Sequence, residues 1–147
     1  MEKFSIQVKI NSDRPDFRIF SAYFFGDDFY DYDSDGNSFT VTSRNWTELY
    51  MCSRKNSELW FDISRIKSEP LILEVTGQTE QIVNSIAYFL ASETNGKILS
   101  EEKIQPIEIL INKMGDFDLQ ERLSLSKKSV WRKATEENPY PNLTKSV

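Results

Sequence analysis

Strand-like and helix-like periodicity occupy different parts of this chain, and that separation restricts the folds open to it. Phe4, Ile6, Val8 and Ile10 alternate with Ser5, Gln7 and Lys9, the period of two expected of a half-buried strand. NSDRPD (11–16) has turn chemistry. Residues 17–25 (FRIFSAYFF) are aromatic and β-prone, and SFTVTS (38–43) has strand composition. WTELYMCSR (46–54) and LWFDIS (59–64) flank a turn, as the arms of a hairpin do, and LILEVTG (71–77) is a further apolar strand. Helical spacing first becomes strong over 79–95, where Val83, Ile86, Ala87 and Leu90 form a stripe that Ile82 and Phe89 widen. Thr79 suits an N-cap, and Asn95-Gly96 suits the left-handed stop of a helix C-terminus. KILS (97–100) reads as a short strand returning to the sheet. Residues 106–114 fit a strand or a helix equally well. Residues 118–123 and 126–137 read as helical, with Ser126 as a cap and Pro139 and Pro141 ending any helix there. Strands first and helices later predict an α+β fold. The expected arrangement is a largely antiparallel sheet with one main helix (about 79–95) and C-terminal helices packed on one face.

Length sets the expectation of one domain over 1–147, large enough to hold a core without a metal or disulfide staple. The chain has no histidine and a single cysteine, Cys52. Ser-His-Asp and Cys-His catalysis in their usual forms are therefore excluded, and the commonest zinc ligand is missing. A lone cysteine points to a reducing compartment. MEKFSIQVKI lacks the apolar run of a signal peptide, and no stretch approaches a membrane span, so the expected location is the cytoplasm.

The net charge is −5, distributed as about −7 over residues 1–112 and about +2 over 113–147. An acidic chain is poorly suited to phosphate backbones and better suited to a basic partner. The acid is concentrated in GDDFYDYDSDGN (26–37), read as a loop. Asp27, Asp28, Asp31, Asp33 and Asp35 fall within nine residues, with Tyr30 and Tyr32 among them and no lysine or arginine between Arg18 and Arg44. Such a run reads as a solvated connection, as a contact surface for a basic protein, or as a loose calcium site. Asp31-Tyr32-Asp33-Ser34-Asp35-Gly36 matches the first half of an EF-hand loop, but Thr42 stands at the twelfth position, where a bidentate glutamate is needed. No metal site or cofactor is expected.

Other features are weaker. Eight of the nineteen aromatic residues lie in 17–32, where strand packing is the simple explanation. If the segment is a strand, the adjacent Phe24 and Phe25 point to opposite faces. TGQT (76–79) has one glycine and no following Lys-Ser/Thr, so it is a strand-to-helix turn and not a phosphate loop. Asp62 and Glu74 sit in strand patterns that face solvent. SKKSVWRKA (126–134) is a basic segment around Trp131, suited to an anionic surface, to the chain's own acidic loop, or to packing on the sheet.

The stretch from Trp46 to about Glu101, running strand, turn, LWFDIS, LILEVTG and then TEQIVNSIAYFLASETNGKI, resembles small immunity proteins of bacterial polymorphic and contact-dependent toxin systems. That resemblance implies a non-enzymatic protein that neutralises a cognate toxin, often a basic nuclease. The expected contact residues are Asp27, Asp28, Tyr30, Asp31, Tyr32, Asp33 and Asp35, with no nucleic acid or membrane as partner. A structural or assembly subunit of a phage or secretion system is the alternative.

Overall fold

A computed structural model describes residues 4–101 and 103–143. The strands are β1 (Phe4–Lys9), β2 (Tyr32–Gly36), β3 (Leu49–Ser53), β4 (Trp60–Ser68), β5 (Leu71–Gly77), β6 (Lys97–Ser100) and β7 (Lys103–Gln105). They form one antiparallel sheet in the order β2-β3-β4-β5-β1-β6-β7. The fold is α+β. Strand β1 lies inside the sheet, with Val8 opposite Leu73 on one side and Ile98 on the other. Helix α1 (Glu80–Thr94) packs against β1, β4, β5 and β6.

Alternation along the strands assigns the two faces. Val8, Met51, Phe61, Ile63, Leu73, Val75 and Ile98 point inward and are buried. They meet Ile82, Val83, Ile86, Phe89 and Leu90 of α1, and the whole set belongs to one apolar core. Burial of each large side chain contributes about 1.5–3 kcal/mol. The Thr79 hydroxyl accepts a hydrogen bond from the Ile82 N–H (3.2 Å), and Asn95 takes the left-handed conformation (φ 54°) at the other end. The stop signal at Asn95-Gly96 is thus carried by the asparagine. A second helix, α2 (Leu119–Lys127), rests on the segment before the acidic run.

Four local expectations are corrected. Residues 17–25 are not a strand: they turn into a π-helical turn, Ser21–Phe25. The Asp16 carboxylate accepts the Arg18 N–H (3.0 Å), nucleating the turn, and Gly26 ends it at φ 85°. Ile19, Phe20, Ala22, Tyr23 and Phe24 then bury together, as helical spacing allows. Phe24 and Phe25 accordingly lie in ring contact (4.9 Å) and not on opposite faces. Residues 38–43 form turns, because Ser and Thr hydroxyls bond locally (Ser38 Oγ to the Thr40 carbonyl, Thr40 Oγ1 to Thr42 Oγ1) and compete with a ladder. The run 26–37, expected as loop, ends in strand β2. Residues 126–137 do not continue as a helix. Ser126 lies inside α2, which Asp118 caps, and Ser129 starts a separate 3₁₀ turn, Val130–Lys133. The ambiguous 106–114 region contains a 3₁₀ helix, Ile107–Lys113.

Phe20 is the hub of the aromatic core. Its ring meets Trp46 at 6.0 Å, Phe61 at 5.6 Å and Phe89 at 5.0 Å. Phe20→Ala is expected to cost about 3–5 kcal/mol in urea unfolding. Phe39→Ala, at a side chain 84% exposed, should change stability by less than about 0.5 kcal/mol. Equal losses would contradict this assignment of the core.

Candidate functional site

The structure divides the acidic run between two places. Asp27 and Asp28 stay on the helical side of the molecule. Asp27 accepts the Phe29 N–H (2.9 Å), and its carbonyl accepts the Ser21 hydroxyl. Asp28 holds the C-terminal segment: its carboxylate accepts the Ser129 hydroxyl and the Val130 N–H (2.9 Å), while Trp131 Nε1 leans on its carbonyl (3.4 Å). The segment around Trp131 therefore folds back on the chain's own acid. Arg132 adds a paired contact to Glu93, at 3.0 Å for each nitrogen.

Tyr30 and Tyr32 are largely committed to internal contacts. Tyr30 stacks on Phe25 (4.5 Å), shares a hydrogen bond with Ser53 (2.9 Å) and has Lys55 over its ring (5.0 Å). Tyr32 points inward from β2 and also stacks on Phe25 (5.6 Å). Its hydroxyl is pushed up to about 12, chiefly by burial; Arg18 opposes the shift, while Asp16 and Asp28 add to it.

Asp31, Asp33 and Asp35 are brought together and are exposed. Strand parity aims Asp33 and Asp35 of β2, with Asp31 just before it, toward the sheet face opposite helix α1. Arg54, at the end of β3, bridges the first two: Nη1 lies 3.1 Å from Asp31 and Nε lies 2.8 Å from Asp33. Those hydrogen bonds and charges, Asp33 foremost, raise the affinity of Arg54 for its proton. Thus like charge on the run is partly offset within the molecule. The EF-hand-like hexapeptide is extended strand over Tyr32–Gly36 instead of the tight turn a calcium loop needs. Among the described residues no group of three His, Cys, Asp or Glu side chains is placed to hold a metal ion.

Register adds residues that the sequence alone did not connect to this corner. Asp33 lies opposite Cys52, and Asp35 opposite Tyr50. Tyr50 lies opposite Asp62, and Cys52 opposite Trp60. The open face therefore presents Asp33, Asp35, Tyr50, Trp60 and Asp62 together. The rings of Tyr50 and Trp60 are 6.3 Å apart, and Trp60 Nε1 donates to Gln78 (2.8 Å). The Tyr50 hydroxyl is raised above the usual tyrosine range, first by a hydrogen bond with Cys52, then by burial and the charges of Cys52, Asp33 and Asp62. Glu74 lies opposite Ser64, diagonal to Asp62, on the same face. At the far end of that face, Lys9 and Lys67 stand with Ile66, Ile72, Leu99 and Ile104 around a hollow of about 570 Å³. Acid with exposed aromatics at one end and lysine with aliphatics at the other is chemistry for protein contact.

No protein-family model matches this chain, and no curated protein or solved structure matches it either. Among the described residues no helix is long and apolar enough to cross a membrane.

Two outcomes follow from the geometry. Asp28→Ala leaves two donors without their acceptor, at a cost of about 1–3 kcal/mol. Amide exchange over residues 129–143 should accelerate more than exchange in β1 or β5; uniform acceleration would show that Asp28 does not hold this segment in particular. The second concerns pH. A tyrosine near 10 when unfolded and near 12 when folded keeps its proton longer in the folded state. Its stabilising contribution is complete below pH 10 and is lost as pH rises to about 12. Tyr32→Phe should flatten that alkaline decline in part, leaving the share of Tyr23, which burial also raises. The check is urea unfolding at stepped pH.

Proposed function

We propose that this protein is a non-enzymatic binding module that captures a basic protein partner, in the manner of an immunity protein neutralising a basic bacterial toxin. The observation that carries the reading is the exposed acidic corner of the open sheet face. Asp33 and Asp35 on the edge strand and Asp31 just before it line up beside Tyr50, Trp60 and Asp62. Aromatic side chains supply contact area at small entropic cost, and carboxylates steer and orient a cationic partner. Asp27, Asp28, Tyr30 and Tyr32 support this surface from behind, and their contribution is structural.

The test is charge reversal. The triple variant Asp31→Lys, Asp33→Lys, Asp35→Lys is compared with the native protein for binding to, and growth rescue from, a basic toxin encoded beside its gene. The expected result is a loss of at least about 100-fold in affinity with the far-ultraviolet dichroism retained. Native affinity should also fall steeply as salt is raised. A folded triple variant that binds and rescues as the native protein does would remove this surface from the interaction.

A further inference from the structure

We infer that the free edge of β2 is a docking rail that accepts an extended, alternating basic–apolar segment of the partner as an eighth, antiparallel strand. This inference rests on the proposed basic partner and specifies how it is held. Three observations meet here. The first is the hydrogen-bond parity of β2. The Arg54 N–H donates to the Asp31 carbonyl, and the Asn37 N–H to the Glu48 carbonyl. Each is a directly opposed pair in the β2–β3 register, so residues 31, 33, 35 and 37 turn their backbone groups toward β3. Tyr32, Ser34 and Gly36 then turn theirs outward to the free edge. The Gly36 N–H is met by the Asp35 carboxylate (2.9 Å), which leaves the groups of Tyr32 and Ser34 for an incoming strand. Glycine at 36 is needed for the edge to lie this close to β3: a Cβ there would fall 2.2 Å from the Glu48 carbonyl oxygen.

The second observation is charge. An added strand would set alternate side chains beside Asp33 and Asp35 on the open face, where lysine or arginine is favoured. Two copies of β2 would instead bring aspartates together, which opposes self-pairing. The third is the hollow on the other side of the same edge. Phe17, Trp46 and Leu49 form the apolar wall of a recess of about 220 Å³ at the inner face of β2, which Asp35, Ser38 and Glu48 also line. The remaining alternate side chains of an incoming strand would enter it, where Phe17, Trp46 and Leu49 offer a small apolar group its contact. Both faces of the added strand are thereby specified, basic outward and apolar inward, while its backbone completes the ladder.

The probe is a short peptide alternating lysine with valine, against a peptide of the same composition with the lysines and valines in separate blocks. Binding is measured by calorimetry and amide exchange on the native protein and on Ser34→Pro. Proline at 34 removes an outward N–H and leaves the β2–β3 ladder intact, as edge positions allow. The alternating peptide should protect the Tyr32 and Ser34 amides, and Ser34→Pro should weaken it at least about tenfold. Equal binding of the two peptides, or binding without protection at Tyr32 and Ser34, would overturn strand addition. If Ser34→Pro does not fold, the amide protection in the native protein decides alone. The two proposals fail differently: loss of binding on charge reversal with no effect of Ser34→Pro retains the basic partner and removes the rail. A dimer of the native protein that Ser34→Pro dissolves would assign the edge to a second copy and overturn the inference.

Discussion

The paired charges of Asp16 and Arg18 hold together parts of the molecule that are far apart in sequence. Arg18 Nε and Nη2 reach the two carboxylate oxygens at 2.9 and 2.7 Å, and both side chains are almost wholly out of water. Among the described residues Nη1 has no hydrogen-bond partner, but the guanidinium lies under the Trp131 ring at 4.1 Å and near Tyr140 at 5.4 Å. The aromatic faces offset part of the desolvation that the missing bond leaves open. The same carboxylate starts the turn that carries Phe20 and Tyr23 into the core. Removing one partner of such a pair costs about 3–5 kcal/mol, because the other is left buried and uncompensated. Core entry, the C-terminal segment and the acidic run are therefore coupled through two residues.

Sequence reasoning recovered the elements whose pattern is local. The alternation of 4–10, the apolar run of 71–77 and the capped stripe of 79–95 are visible because each stands between recognisable turn or cap signals. The segment 17–25 misled because its aromatic content favours strands, while the deciding signals were single residues, Asp16 at one end and Gly26 at the other. The candidate surface was half legible. Asp31, Asp33 and Asp35 share a face because they share parity, which the chain displays once the strand is known. Asp27 and Asp28 lie before the strand: Asp28 is drawn to the Trp131 segment, and Asp27 bonds locally to Phe29 and Ser21. Tyr50 and Trp60 come to the corner only through cross-strand register, and nothing local announces such pairings. Asp62 joins them by the same register.

A charged edge strand has an ordinary purpose, which is to keep sheets from joining edge to edge. The proposed function uses the same charges in the opposite sense: they repel copies of this chain and attract a cation-bearing strand. Arg54 fits between these demands. It lowers the repulsion between Asp31 and Asp33 in the free protein, yet at 56% exposure it can be displaced by a partner's lysine or arginine. The lysines and aliphatics at the other end of the open face make that face asymmetric in charge across the sheet.

The position of β1 has a consequence for synthesis. It is the first strand described, yet it sits between β5 and β6, whose residues begin at 71 and 97. Strands β2 to β5 follow one another as neighbours in sequence and in the sheet, whereas β1 must wait for partners made much later. At a translation rate of about 5–20 residues per second, the interval is several seconds. Throughout it, Ile6 and Val8 of β1 lack the cross-strand neighbours Val75 and Leu73. Completion of the sheet is therefore a late, non-local step, and the interval before it is when a ribosome-associated chaperone has most to protect.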